Sequence, residues 1–195
     1  RRQRNPQEAE GPLQLDIIAN ITPDAKLKLV MDPATDDHIS AKGSGELRIE
    51  TKDEQLNLFG RYVISHGEYR FNLQDLITRN FTVLEGSYVD FNGDPMGAEL
   101  DITARYVAPL AKLQDLSPEL TGSVQANCLL HIGGRLNAPD LTFNIELPRA
   151  SEEHKAILRS YTATEEQRNL QFIYLLAMGR FYTQDMAQVD QGARM

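Results

Sequence analysis

The chain has 195 residues, 41% of them hydrophobic, and a formal charge of −8, which gives enough apolar mass for a sizeable core and excludes a disordered chain. The acidic balance argues against an electrostatic footprint for nucleic acid or anionic headgroups, and no apolar run is long enough for a membrane span or signal peptide. Cys128 is the sole cysteine, so no internal disulfide can form.

Residues 1–12 read as a flexible N-terminal segment, polar and carrying the one like-charged cluster, Arg1, Arg2 and Arg4. With no initiator Met, the chain reads as a piece of something longer, with an anchor or export signal expected upstream. Sheet-forming sequence then runs over residues 13–150. Leu13 to Ala19, Ala25 to Val30 and Gly45 to Thr51 are short strands whose apolar residues skip by two. Turn chemistry separates them at Thr22-Pro23-Asp24, Met31-Asp32-Pro33 and Lys42-Gly43-Ser44-Gly45. Leu56 to Ser65 and Glu68 to Leu73 read as a hairpin turning at His66-Gly67, which puts Gly60, Tyr62, Ile64, Tyr69, Phe71 and Leu73 on one face.

Ile77 to Leu84 and Tyr88 to Phe91 read as a second hairpin, closed by Glu85-Gly86-Ser87 and pairing Phe81 with Phe91. Three longer alternating strands follow. Their apolar sets are Leu100, Ile102, Ala104 and Tyr106; Val124, Ala126, Cys128, Leu130 and Ile132; and Leu141, Phe143, Ile145 and Leu147. The stretches around Pro109 to Pro118 and Gly133 to Asn137 divide them. Residues 151–195 then change period and read as a C-terminal helical segment of the same domain. One helix is expected over Glu152 to Arg159. A second follows the capping box Thr164-Glu165-Glu166-Gln167, with Leu170, Ile173, Tyr174 and Ala177 as its apolar stripe and Gly179 as its stop.

Catalytic chemistry has no foothold in this pattern. His38, His66, His131 and His154 stand at no ligand spacing from one another or from the cysteine, whereas zinc needs three or four converging ligands. Gly43-Ser44-Gly45 and Gly133-Gly134 open no helix and so lack the geometry of a phosphate loop. Cys128 lies on the apolar side of its strand, as an inert thiol does. The expectation is a non-enzyme without metal or cofactor.

What remains is a long sheet with one apolar face. More than a dozen large side chains left wet would each forgo about 1.5–3 kcal/mol, in total more than a domain's typical stability of about 5–15 kcal/mol. The face is therefore folded onto itself in a sandwich, filled by a ligand, or capped by the terminal helix; alternation alone does not choose.

From Gly60 to Tyr106 the chain resembles the C-terminal domain of the TamB family, within the AsmA-like group of bacterial envelope lipid-transfer proteins. The resemblance rests on Gly60-Arg61-Tyr62-Val63-Ile64-Ser65-His66-Gly67-Glu68-Tyr69-Arg70-Phe71, on Arg79-Asn80-Phe81-Thr82-Val83-Leu84-Glu85-Gly86-Ser87-Tyr88-Val89, and on Phe91-Asn92-Gly93-Asp94-Pro95. Leu100 to Tyr106 and the closing run Gln171 to Phe181 fit as well. It implies a mainly β fold: one long curved sheet folded into an open hydrophobic groove, a β-taco, with a C-terminal helix. It further implies a periplasmic segment of an inner-membrane-anchored protein that shields phospholipid acyl chains on their way between membranes and meets an outer-membrane barrel of the TamA or BamA type. Assembly of outer-membrane barrel proteins and a self-contained β-sandwich binding module stand as the alternatives. Residues expected to line the groove are Leu58, Tyr62, Ile64, Tyr69, Phe71, Leu100, Ile102, Tyr106, Val124, Leu130, Ile132, Leu141, Phe143 and Ile145. With such a side chain at an open mouth, Ile102→Arg is expected to leave the chain folded.

Overall fold

The computed structural model describes residues 14–183; the expected loose opening with its arginines, Leu13, and the chain beyond Thr183 lie outside them. Nine strands form a single antiparallel sheet: β1 (Leu15–Ile21), β2 (Lys26–Asp32), β3 (Asp37–Lys52), β4 (Gln55–Leu73), β5 (Ile77–Val83), β6 (Tyr88–Gly93), β7 (Glu99–Lys112), β8 (Ser123–Arg135) and β9 (Ala138–Glu146). Two helices follow, α1 (Glu152–Tyr161) and α2 (Glu165–Met178). The order across the sheet is β1-β3-β4-β5-β7-β8-β9, with β2 paired to β3 and β6 paired to both β4 and β7. β1 and β2 thus lie end to end along β3, and β5 and β6 end to end between β4 and β7.

Both expected hairpins are corrected by this pairing. β4 is one strand of 19 residues running straight through His66-Gly67, and the turn that precedes it is Asp53-Glu54, where Lys52 pairs with Gln55. Asp53 and Glu54 both take positive φ, 53° and 64°, the geometry of a two-residue turn matched to strand twist. No glycine marks that turn in the sequence. The face assignment survives for a different reason. Register shifts between Lys42 and Gly43, which face His66 and Ile64, so Ser65 is an extra residue and the alternation changes phase there as it would at a turn. Tyr62 and Ile64 before the bulge, and Tyr69 and Phe71 after it, consequently share the buried face.

β5 and β6 do not pair with each other. Gly67 pairs with Val83 and Val63 with Tyr88, so the residues between Val83 and Tyr88 interrupt one continuous track. Ser87 fills the interruption: its hydroxyl donates to the Leu84 carbonyl at 2.8 Å and accepts from the Thr103 amide at 3.1 Å. Three further boundaries differ from expectation. Lys42-Gly43-Ser44-Gly45 lies inside β3, Gly133 to Arg135 belong to β8, and Pro109 belongs to β7 at a register shift between Ala108 and Ala111.

The interruptions align. The gap from β1 to β2, the shift at Lys42–Gly43 in β3, the extra Ser65 in β4 and the gap from β5 to β6 fall at one level across adjacent tracks. Bulges bend strands and raise their twist, so this level is a crease. Glycine is required there because the backbones nearly touch: a Cβ on Gly43 would fall on the Val63 carbonyl oxygen, and one on Gly45 on that of Arg61.

Curvature shows in the rings. Phe71 on β4 and Phe143 on β9 are four strand steps apart, about 19 Å in a flat sheet at roughly 4.8 Å per step, yet their centroids are 6.3 Å apart. The sheet has curled its apolar face inward until distant strands meet.

Candidate functional site

The inner face changes character along its strands. Tyr62, Ile64, Tyr69, Phe71, Leu100, Ile102, Leu130, Ile132 and Ile145 are buried in one contiguous core. Leu58, Tyr106, Val124 and Phe143 are half-buried against that core, and Leu141 near the free edge of β9 is exposed. The sequence therefore brings these residues together on one face, and most of that face is covered by protein.

α2 is the cover. Its N-terminus is set by the expected capping box between Thr164 and Gln167, and Gly179 ends it at φ 68°. The stripe that meets the sheet is Phe172, Leu175 and Leu176, not Leu170, Ile173, Tyr174 and Ala177. Both sets fit helical spacing, and the packing partner decides between them: Phe172 stacks on Phe143 with centroids 4.4 Å apart and planes at 12°, and on Phe81 at 6.1 Å. Leu170 and Met178 are left exposed. Polar contacts hold the helix in place. Arg79 on β5 donates to the Leu176 carbonyl at 2.9 Å. The buried Gln171 amide spans both backbone groups of Tyr182, at 3.0 and 2.8 Å, and Arg180 makes a two-pronged contact with Asp115 at 2.7 and 3.1 Å. None of these polar partners was visible in the alternation, because each is isolated in sequence.

Beyond the cover, the same inner face opens. Leu47 is buried, its neighbours toward the strand end, Ile49 and Thr51, are half-buried, and across the register Leu15, Ile17 and Leu56 are 38%, 45% and 48% exposed. Leu15, Ile17, Ile49, Leu56 and Leu58 thus form an apolar rim continuous with the core. β1, which carries Leu15 and Ile17, has no partner on its other side among the described residues.

Polar groups are also buried in the inner face. The Tyr62 hydroxyl has no hydrogen-bond partner among the described residues, and burial raises its pKa. The Asp37 carboxylate accepts from the Asn72 amide at 3.0 Å and lies 3.5 Å from the Tyr69 hydroxyl. Burial pushes the Asp37 carboxyl above its ordinary value, with Asp32 adding to it, and burial beside Asp37 raises Tyr69. A folded carboxyl that holds its proton more tightly than the unfolded one loses stability as pH rises from the unfolded value of about 3.8 through the raised folded value. Relative to Asp37→Asn, the wild type is therefore expected to weaken over that window and run parallel above it, as measured by urea midpoints across acid pH.

No group of acidic, histidine or cysteine side chains able to hold a metal occurs among the described residues, and no helix there is long and apolar enough to cross a membrane. A comparison with curated proteins found no match. A family model, TamB C-terminal domain, matches residues 1–194. The match takes in all of the described sheet and both helices that follow it, and the chain belongs to the TamB C-terminal domain family of the bacterial envelope.

Proposed function

We propose that this chain is the closing end of a lipid-shielding groove in the periplasm. The open rim of Leu15, Ile17, Ile49, Leu56 and Leu58 takes phospholipid acyl chains, and α2 stops them from going further into the sheet. The observation that carries this reading is the gradient of exposure along one continuous apolar face, from buried Leu47 and Tyr62 to open Ile17 and Leu56. An aliphatic chain needs no hydrogen bond from its host, and the rim side chains offer none. Selectivity among lipids is accordingly weak. Family membership supports the setting: transfer between inner and outer membrane, with an outer-membrane barrel of the TamA or BamA type as partner.

A second reading, assembly of outer-membrane barrel proteins, draws on the unpaired edge of β1, which offers backbone groups to an incoming strand. A photo-crosslinker at Ile17, in cells, separates the two. Adducts carrying phospholipid are the expected result. Adducts with nascent barrel protein and never with lipid would favour the second reading, and no adduct of either kind would remove both.

A further inference from the structure

On the opposite, outer face of the sheet lies a cleft of about 950 Å³, lined by residues of β2, β3 and β4 together with the turn at Pro23 and Asp24. Register places Lys26 opposite Lys42, and Lys42 opposite His66. Three basic side chains thus stand directly across from one another on three neighbouring tracks, with Lys28 one step along β2 on the same face. Like charges directly opposite on a sheet repel. Elsewhere on the outer face cations are matched by acids: Arg48 meets Asp16 and Glu50, which themselves stand opposite each other, Arg61 meets Asp90, and His131 meets Asp101. Among the described residues no ion pair engages Lys26, Lys28 or Lys42. The two carboxylates that line the cleft are Asp24, in the turn before Lys26, and Glu68, which shares a row with Lys28 across Ser40 but makes no ion pair with it, and which lies one row from Lys26, Lys42 and His66.

We infer that this cleft binds a phosphate group through Lys26, Lys42 and His66, either free phosphate or the phosphodiester of a glycerophospholipid headgroup. A bound phosphate removes the repulsion that the register builds in, and its oxygens accept from both ammonium groups. The site lies across the sheet from the apolar rim and does not depend on acyl chains entering it.

Titration calorimetry on the 195-residue chain, with inorganic phosphate and with dihexanoyl phosphatidylglycerol below its micelle concentration, tests the inference. Saturable binding is expected for at least one of them, weakened about tenfold or more in Lys26→Gln/Lys42→Gln. That variant should melt no lower than the wild type in the absence of ligand, since it loses only a repulsion. Competition by phosphate against the lipid would make free phosphate sufficient, and binding by the lipid alone would make the headgroup the ligand; both support the site. No binding of either probe, or equal affinity in the variant, would overturn it.

Discussion

Ile102→Arg is expected to abolish folding. Ile102 is 0% exposed, pairs with Ile132 on β8, and lies between the inward-facing Leu100 and Ala104 of its own strand. Substitution forgoes about 1.5–3 kcal/mol of buried aliphatic surface, overfills a packed site for a further 1–3 kcal/mol or so, and leaves a guanidinium unpaired in the core at a cost of several kcal/mol. Together these reach the order of a whole domain's stability, about 5–15 kcal/mol. The sequence alone led to the opposite expectation, that a charge there would sit at an open mouth. Ile17→Arg, on the exposed rim, is the contrasting case and should change stability by no more than about 0.5 kcal/mol. Circular dichroism and urea unfolding of the two variants check the pair. A folded Ile102→Arg would mean that the centre of the sheet is open to water.

Phe172→Ala is expected to cost about 3–5 kcal/mol and to release α2 from the sheet. The ring is fully buried and stacked on both Phe143 and Phe81, so truncation removes its transfer energy and leaves a cavity against two aromatic faces. Leu170→Ala, on the exposed side of the same helix, should cost less than about 1 kcal/mol, mostly none of it from packing. Hydrogen exchange supplies the second readout: amides of α2 in Phe172→Ala should lose protection ahead of those in β7 and β8. A difference between the two variants of less than about 1 kcal/mol would show that α2 does not anchor the closure.

Much of the face assignment was legible in the residues, because a period of two sorts side chains without reference to pairing. Tyr62, Ile64, Tyr69 and Phe71 were placed together correctly although the hairpin invoked for them does not exist. A turn and a bulge both reset the phase, and His66-Gly67 is suitable for either; only the 16-residue length of β3 lets β4 run on unbroken. The Asp53-Glu54 turn was hidden because its two residues adopt positive φ without a glycine. In α2 two apolar stripes compete, and the sheet selects the one led by Phe172 because that ring finds Phe143 and Phe81. The terminal helix was one of three covers that the sequence allowed, and the choice among them was beyond reach for the same reason. Alternation records which side of a strand is apolar, and the covering layer comes from a helix separated from Phe81 by ninety or so residues of chain.

Cys128 is a built-in probe of that cover. It lies fully buried on the inner face of β8, and burial pushes its thiol up to about 12, so it should resist a maleimide reagent for as long as the chain stays folded. A cysteine placed at Ile17 in a Cys128→Ala background should react at the rate of a free thiol. Labelling rates under native conditions compare the two positions directly: a large excess of Ile17→Cys over Cys128 is predicted, and equal rates at the two sites would contradict a face closed by α2 and open only at its rim.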